Sequence, residues 1–204
     1  MEYTDTYKTI QAAAEGLYKE KGSKFIAYAF PVSNEQQIKA ITAKLKKEHH
    51  SARHHCFAWR LGTEHQSFRI NDDGEPSGTA GRPILGQIQQ QELTDIVVIV
   101  VRYFGGILLG TSGLTNAYKQ AAADALAHAK TVVKIIETLI EINFDYLAMN
   151  DLMLVLKEYD LEIIESHYDL TCQVKIRVRK DLTALVLEKL KKIGKLNAGI
   201  IVEK

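Results

Sequence analysis

Cysteine is scarce in this chain. Cys56 and Cys172 stand far apart and form no CxxC pair, so the simple expectation is a cytoplasmic protein with reduced thiols. Net charge is nearly absent: 26 Lys and Arg against 25 Asp and Glu leave +1. No global field therefore draws the protein onto nucleic acid or a membrane. Long apolar runs are missing too. The longest, residues 96–101, has the length of a buried strand, far short of the ~20 residues a membrane span needs. The opening decapeptide, MEYTDTYKTI, lacks the basic-then-apolar layout of a secretory signal. What remains is ordinary for a folded protein with a real core: 204 residues, 46% hydrophobic and 25% charged.

Residues 23–32 are rich in β-branched and aromatic types and follow a hairpin turn over 19–22, which predicts a strand. Ser33 and Asn34 offer caps, with Gln36 and Gln37 at capping-box distance. Ile38, Ile41 and Leu45 then recur at helical spacing to about Glu48. Residues 56–61 and 67–70 read as a strand pair around Gly62 and Thr63. The loop DDGEPSGTAG feeds a helix with Pro83 in its first turn, where the missing N–H costs nothing. Residues 96–101 are apolar on both faces, as a central strand should be. A second glycine-rich loop, 105–113, precedes an alanine-rich helix over about 112–129, with Leu114, Tyr118, Ala121 and Ala125 facing inward. A first domain over residues 1–131 follows from this order.

Residues 132–204 have a different grammar. A strand over 136–144 precedes a helix over 147–159 with Met149, Leu152, Met153 and Leu156 on one side. Residues 161–168 and 171–179 form a hairpin around a turn at 167–170. Asp181 caps a helix that Gly194 ends, and Leu196, Ile200 and Val202 keep strand spacing. The order is βαββαβ, the split-βαβ arrangement of ferredoxin-like domains. Both domains mix helices and strands, an α+β chain.

Two glycine-rich loops run into helix N-termini, where free N–H groups and the helix dipole favour an anion. The first supplies Glu75, Ser77, Gly78, Thr79, Gly81 and Arg82; the second supplies Arg102, Gly105, Gly106, Gly110, Thr111, Ser112 and Gly113. These residues are the candidate site for an anion or nucleic acid, with Arg82 and Arg102 as bidentate phosphate contacts. A plainer reading fits the same pattern: the glycines serve tight turns, and the arginines pair with Asp72, Asp73 or Glu75. The second loop is no Walker motif, since Thr111 and Ser112 follow Gly110 with no lysine between. The first lacks EF-hand spacing, which would put Arg69 at the first ligand position.

No catalytic set or metal site assembles. His49, His50, His54, His55 and Cys56 cluster, but strand alternation turns His55 away from His54 and Cys56, and no second cluster completes a tetrahedron. Cys56 reads as an inert buried thiol. Lys175, Arg177 and Arg179 share one face of a strand, and Glu137 and Glu141 on the neighbouring strand suit them as partners. That face carries no outward aromatics for RNA stacking. Residues 1–131 sum to +2 and residues 132–204 to −1, so neither half is a basic domain.

DDGEPSGTAGRPIL and VVRYFGGILLGTSGL, with ARHHCFAWRLG upstream, resemble the signature segments of the YigZ/IMPACT family. The likeness spans the first domain, and the tail is similar to the small second domain of bacterial members. The resemblance implies a first domain of the type shared by a small-subunit ribosomal protein and the GHMP kinases. It implies a second, ferredoxin-like domain resembling the end domain of elongation factor G. The eukaryotic relatives regulate translation by interfering with activation of the kinase that senses amino-acid starvation. For this chain the resemblance implies a non-enzymatic cytoplasmic binding protein linked to translation, with RNA, the ribosome or a translation factor as partner. It carries over no catalytic residue, cofactor or metal. Thr111-Ser112-Gly113 departs from the more glycine-rich stretch expected of relatives. The alternative is a nucleotide-binding or phosphotransferase enzyme, since residues 106–113 loosely echo the phosphate loop of GHMP kinases.

Overall fold

A computed structural model describes residues 5–63, 67–169 and 171–201; Leu170 and Val202, read above as turn and strand, lie outside that set. The chain divides into two compact units, Tyr7–Lys134 and a second made of Met1–Thr6 with Ile135–Lys204. Both mix helices and sheets. Among the described residues, no helix is long and apolar enough to cross a membrane.

The first stretch runs β1 (Thr6–Ile10), β2 (Ala14–Glu20), β3 (Ser23–Pro31), α1 (Glu35–Glu48), β4 (His54–Leu61) and β5 (Ser67–Asn71). It continues with α2 (Gly81–Gln90), β6 (Ile96–Tyr103), α3 (Gly110–His128) and β7 (Thr131–Ile135). Five strands form one antiparallel sheet in the order β2-β3-β6-β4-β5, and β1 pairs with β7 apart from it. The central place of β6 explains its composition. Ile96, Val98 and Val100 join the core built with α2 and α3, while Val97 and Ile99 join the one built with Ile38 and Leu45 of α1. With helices on both faces, a polar residue among Ile96–Val101 would be buried without a ready partner.

Local chemistry sets the ends of these elements. Asn34 Oδ1 accepts from the Gln37 amide at 2.9 Å, and Gln37 Oε1 accepts from the Ser33 amide at 2.9 Å. That reciprocal pair satisfies two donors at the start of α1. On β2, a Cβ at Gly16 would sit 2.2 Å from the backbone nitrogen of Ala125, so α3 lies on the sheet at a distance that only glycine permits.

The second unit holds β8 (Glu137–Phe144), a 3-10 turn (Tyr146–Ala148), α4 (Met149–Glu158), β9 (Ile163–His167), β10 (Cys172–Arg179), α5 (Lys180–Lys191) and β11 (Leu196–Ile201). Its sheet runs β11-β8-β10-β9, antiparallel throughout. Leu152, Val155 and Leu156 of α4 and Val186 and Leu190 of α5 pack with the inward residues of β8 and β10. Three details differ from the sequence reading. Met153 is exposed, because Val155 takes the inward place beside Leu152 and Leu156. Arg179 stands at the N-cap of α5 and Asp181 falls in the first turn, because Asp5 accepts from Arg179 Nε at 2.6 Å and fixes the chain there. The left-handed residue after α5 is Lys195, at φ 60°, rather than Gly194. The cationic row of β10 has partners: Lys175 donates to Glu165 at 2.7 Å and Arg179 to Asp5.

Candidate functional site

The two glycine loops differ in how their backbone is used. In the first, Asp72 lies just beyond β5 and its carboxylate accepts from the amides of Gly78 (2.8 Å), Ala80 (3.0 Å) and Gly81 (2.8 Å). The positive end of α2 therefore meets an anion from its own chain. Thr79 is buried, and its hydroxyl donates to the Pro76 carbonyl at 2.7 Å. Gly81 packs against Ile70 and Asn71, Gly78 holds φ at 76°, and Ser77 and Arg82 are exposed. The amides that an external anion would need in this loop are those Asp72 holds.

Burial raises the Asp72 carboxyl, but the amides of Gly78, Gly81 and Ala80 and the charge of Arg82 outweigh it and leave the group below its ordinary value. A depressed folded-state value means stabilisation present above the unfolded pKa, about 3.9, and lost as pH falls through the folded one. Asp72→Asn is expected to cost about 1 kcal/mol at neutral pH and to shrink the loss of stability between pH 5 and pH 2. Urea unfolding followed by the fluorescence of Trp59, the single tryptophan, reads this unit directly. Equal acid sensitivity in both proteins would contradict the assignment.

The second loop is more open. Gly105 is pressed against the backbone of Gly22 and Ser23. Gly106 and Gly110 hold φ at 89° and 71°, and a Cβ added at either would meet nothing within 4 Å. Helix α3 starts at Gly110, earlier than the sequence reading, so Thr111, Ser112 and Gly113 form its first turn instead of a loop. Its N-cap, Leu109, provides no side-chain cap. Between the loops lies a pocket of about 450 Å³ lined by Glu75 and Pro76 from the first, Arg102, Phe104 and residues 108–111 from the second, and Arg53, His54 and Leu114. Of the sequence candidates, Glu75, Arg102, Gly110 and Thr111 meet there; the other nine do not line it.

A buried polar cluster forms the floor. Glu75 and Arg102 expose only 3% and 7% of their side chains, and Arg102 Nη1 donates to Glu75 Oε1 at 2.6 Å. The Tyr118 hydroxyl donates to the same oxygen at 2.8 Å. Burial pushes the Tyr118 phenol far up, so it stays a donor. Arg102 also stacks between Phe25 and Phe104, at 5.4 and 5.6 Å. His54 Nδ1 lies 2.9 Å from the Asp73 carbonyl, and its Nε2 lies 3.9 Å from Glu75 Oε1. Cys56 donates to the Asp72 carbonyl at 3.0 Å, and burial pushes its thiol up, away from the thiolate a nucleophile requires.

Tyr118, His54, Phe104 and Arg53 are among the residues of the site that the sequence reading does not mark. Tyr118 carried a usable signal: a tyrosine on a fully inward helix stripe needs a buried partner for its hydroxyl. His54 was read within a histidine cluster, yet strand alternation did separate it correctly from His55. Two apolar residues that line the pocket are exposed, Leu108 at 83% and Phe104 at 49%, and Ile107 in the same segment is exposed too.

Residues 21–126 match the profile of the Impact N-terminal domain. The chain is 39% identical over 150 residues to an IMPACT family member of Haemophilus influenzae, covering 72% of this chain and 73% of that one. It is 38% identical over 162 residues to IMPACT family member YigZ of Escherichia coli, covering 78% and 79%. A crystal structure described as that of a hypothetical protein aligns over 98% of this chain and 99% of its own, at 32% identity and a TM-score of 0.72.

Proposed function

We propose that this chain, which belongs to the IMPACT family, is a non-enzymatic cytoplasmic binding protein of translation control that docks through the pocket between its two glycine loops. The observation that carries the reading is the juxtaposition of Phe104 and Leu108, both exposed, with a floor built from buried Glu75 and Arg102. Exposed apolar residues grouped at a pocket mouth are the mark of a binding surface rather than of a solvated turn. The partner is RNA, the ribosome or a translation factor. Within this reading the first unit is of the ribosomal-protein and GHMP-kinase type. The second is ferredoxin-like, like the end domain of elongation factor G; its βαββαβ order and antiparallel strand order support that assignment.

Sucrose-gradient sedimentation of cell extract tests it. The protein is expected to travel with ribosomal particles, and Leu108→Asp to release it to the top of the gradient, while Leu154→Asp on the exposed face of α4 leaves it in place. Absence from ribosomal fractions, or indifference to Leu108→Asp, would overturn the reading.

A further inference from the structure

The floor of the pocket leaves a carboxylate oxygen free to accept, beside Arg102, whose buried Nε is, among the described residues, a donor without a partner. Glu75 Oε1 is occupied by Arg102 and Tyr118, and among the described residues nothing donates to Oε2 of this nine-tenths buried carboxylate, which lines the pocket. His54 adds a second acceptor. A backbone carbonyl only accepts, so the 2.9 Å contact with Asp73 places a proton on Nδ1, and the tautomer with that single proton turns its Nε2 lone pair toward Glu75. The 3.9 Å between Nε2 and Oε1 is too long for a direct hydrogen bond. A group that reaches these two atoms must therefore donate.

Charge narrows its nature. The Glu75 carboxylate is already offset by Arg102, and Arg53 also lines the pocket, so a cationic head would share it with two guanidinium groups. An anionic head would face the free carboxylate oxygen. A neutral group with N–H donors satisfies both conditions. Pro76, Phe104, Leu109 and Leu114 supply apolar walls for a flat body, within the volume range of small-molecule sites. The first turn of α3 presents Gly110 and Thr111, exposed and without a side-chain cap, and both line the pocket, as Arg53 does. A phosphate tethered to the flat body meets the helix dipole there.

We infer that the pocket takes one nucleotide unit, base inward and phosphate at the start of α3, with the N–H edge of the base on Glu75 Oε2 and His54 Nε2. This rests on the docking reading above and names its ligand. Guanine, with adjacent N1–H and N2–H₂ donors, fits best; uracil, whose single N–H is flanked by carbonyls, fits worst. A free nucleotide and an unstacked base of single-stranded RNA share this chemistry.

Fluorescence anisotropy and calorimetry on the full chain, with the four ribonucleoside monophosphates, their nucleosides and single-stranded hexamers, test it. Guanosine forms are expected to bind at least about tenfold more tightly than uridine forms. Hexamers binding more tightly than monophosphates identify RNA as the source, and the reverse order a free nucleotide. Glu75→Gln turns an acceptor into a donor and is expected to reverse the preference toward uracil. Thr111→Asp lies on the surface in a helix first turn, where aspartate is tolerated, so folding is not at stake. It is expected to weaken the monophosphates about tenfold and leave nucleosides unchanged. Equal binding of all bases, no binding at millimolar ligand, or a Thr111→Asp protein with unaltered monophosphate affinity would overturn the inference. If ribosomal association still depends on Leu108 in that event, the docking reading stands and only its ligand is wrong.

Discussion

Replacing Glu75 by alanine is expected to lower the unfolding free energy of the first unit by about 3–5 kcal/mol, the usual cost of breaking a buried ion pair from one side. The reason lies less in the lost bond than in what remains. Arg102 is 7% exposed at its side chain, and its Nε already lacks a partner. Without the carboxylate a full positive charge stays inside the fold against the faces of Phe25 and Phe104. The Tyr118 hydroxyl loses its acceptor at the same time. Replacing Arg102 by methionine in the Glu75→Ala background is expected to recover more than half of the loss, because the stranded charge goes with it. Urea unfolding followed by Trp59, which packs in the core under α1, measures both. Additive losses in the double variant would show that the two side chains do not act as a pair.

The parts of the fold that could be read from sequence are those governed by local chemistry. β6 is written as an unbroken apolar run because two helical layers cover it. The start of α1 follows from Ser33, Asn34 and Gln37 alone. What escaped is held by distant partners. β1 and β7 have five residues each and pair across more than a hundred residues, so no periodicity announces them. Asp5 fixes the start of α5 through Arg179, 174 positions away.

The site shows the same division. Glycine loops running into helices do mark places where an anion is welcome, and that physical rule holds at α2. The anion is Asp72, which the sequence offers only as one acidic residue among several nearby. Once Asp72 is spent on the first loop, the amides left without a side-chain cap are those of α3. Sequence named Glu75 and Arg102 as candidates, and it also left open that the arginines pair with nearby acids. In Arg102 both readings meet, since the residue that pairs with Glu75 also lines the pocket.

The second loop depends on one close approach, and breaking it is expected to cost about 3 kcal/mol, the upper end for overpacking. A Cβ at Gly105 would lie 1.9 Å from the carbonyl carbon of Gly22 and 2.1 Å from the Ser23 nitrogen. Both are backbone atoms of the β2–β3 hairpin, so no side chain can swing aside. The Gly105 amide also donates to Ser23 Oγ at 3.1 Å, a bond that any retreat of the loop would stretch. Gly105→Ala must therefore lift the whole segment that carries Phe104, Ile107 and Leu108 away from the sheet. Gly86→Ala is the control: its Cβ would meet nothing within 4 Å inside α2, and alanine there is expected to stabilise by about 0.5–1 kcal/mol. Thermal unfolding of the two variants should move in opposite directions, and ribosomal association should weaken only in Gly105→Ala. A Gly105→Ala protein as stable as its parent would mean that this loop does not rest on the hairpin, and the pocket would lose its wall.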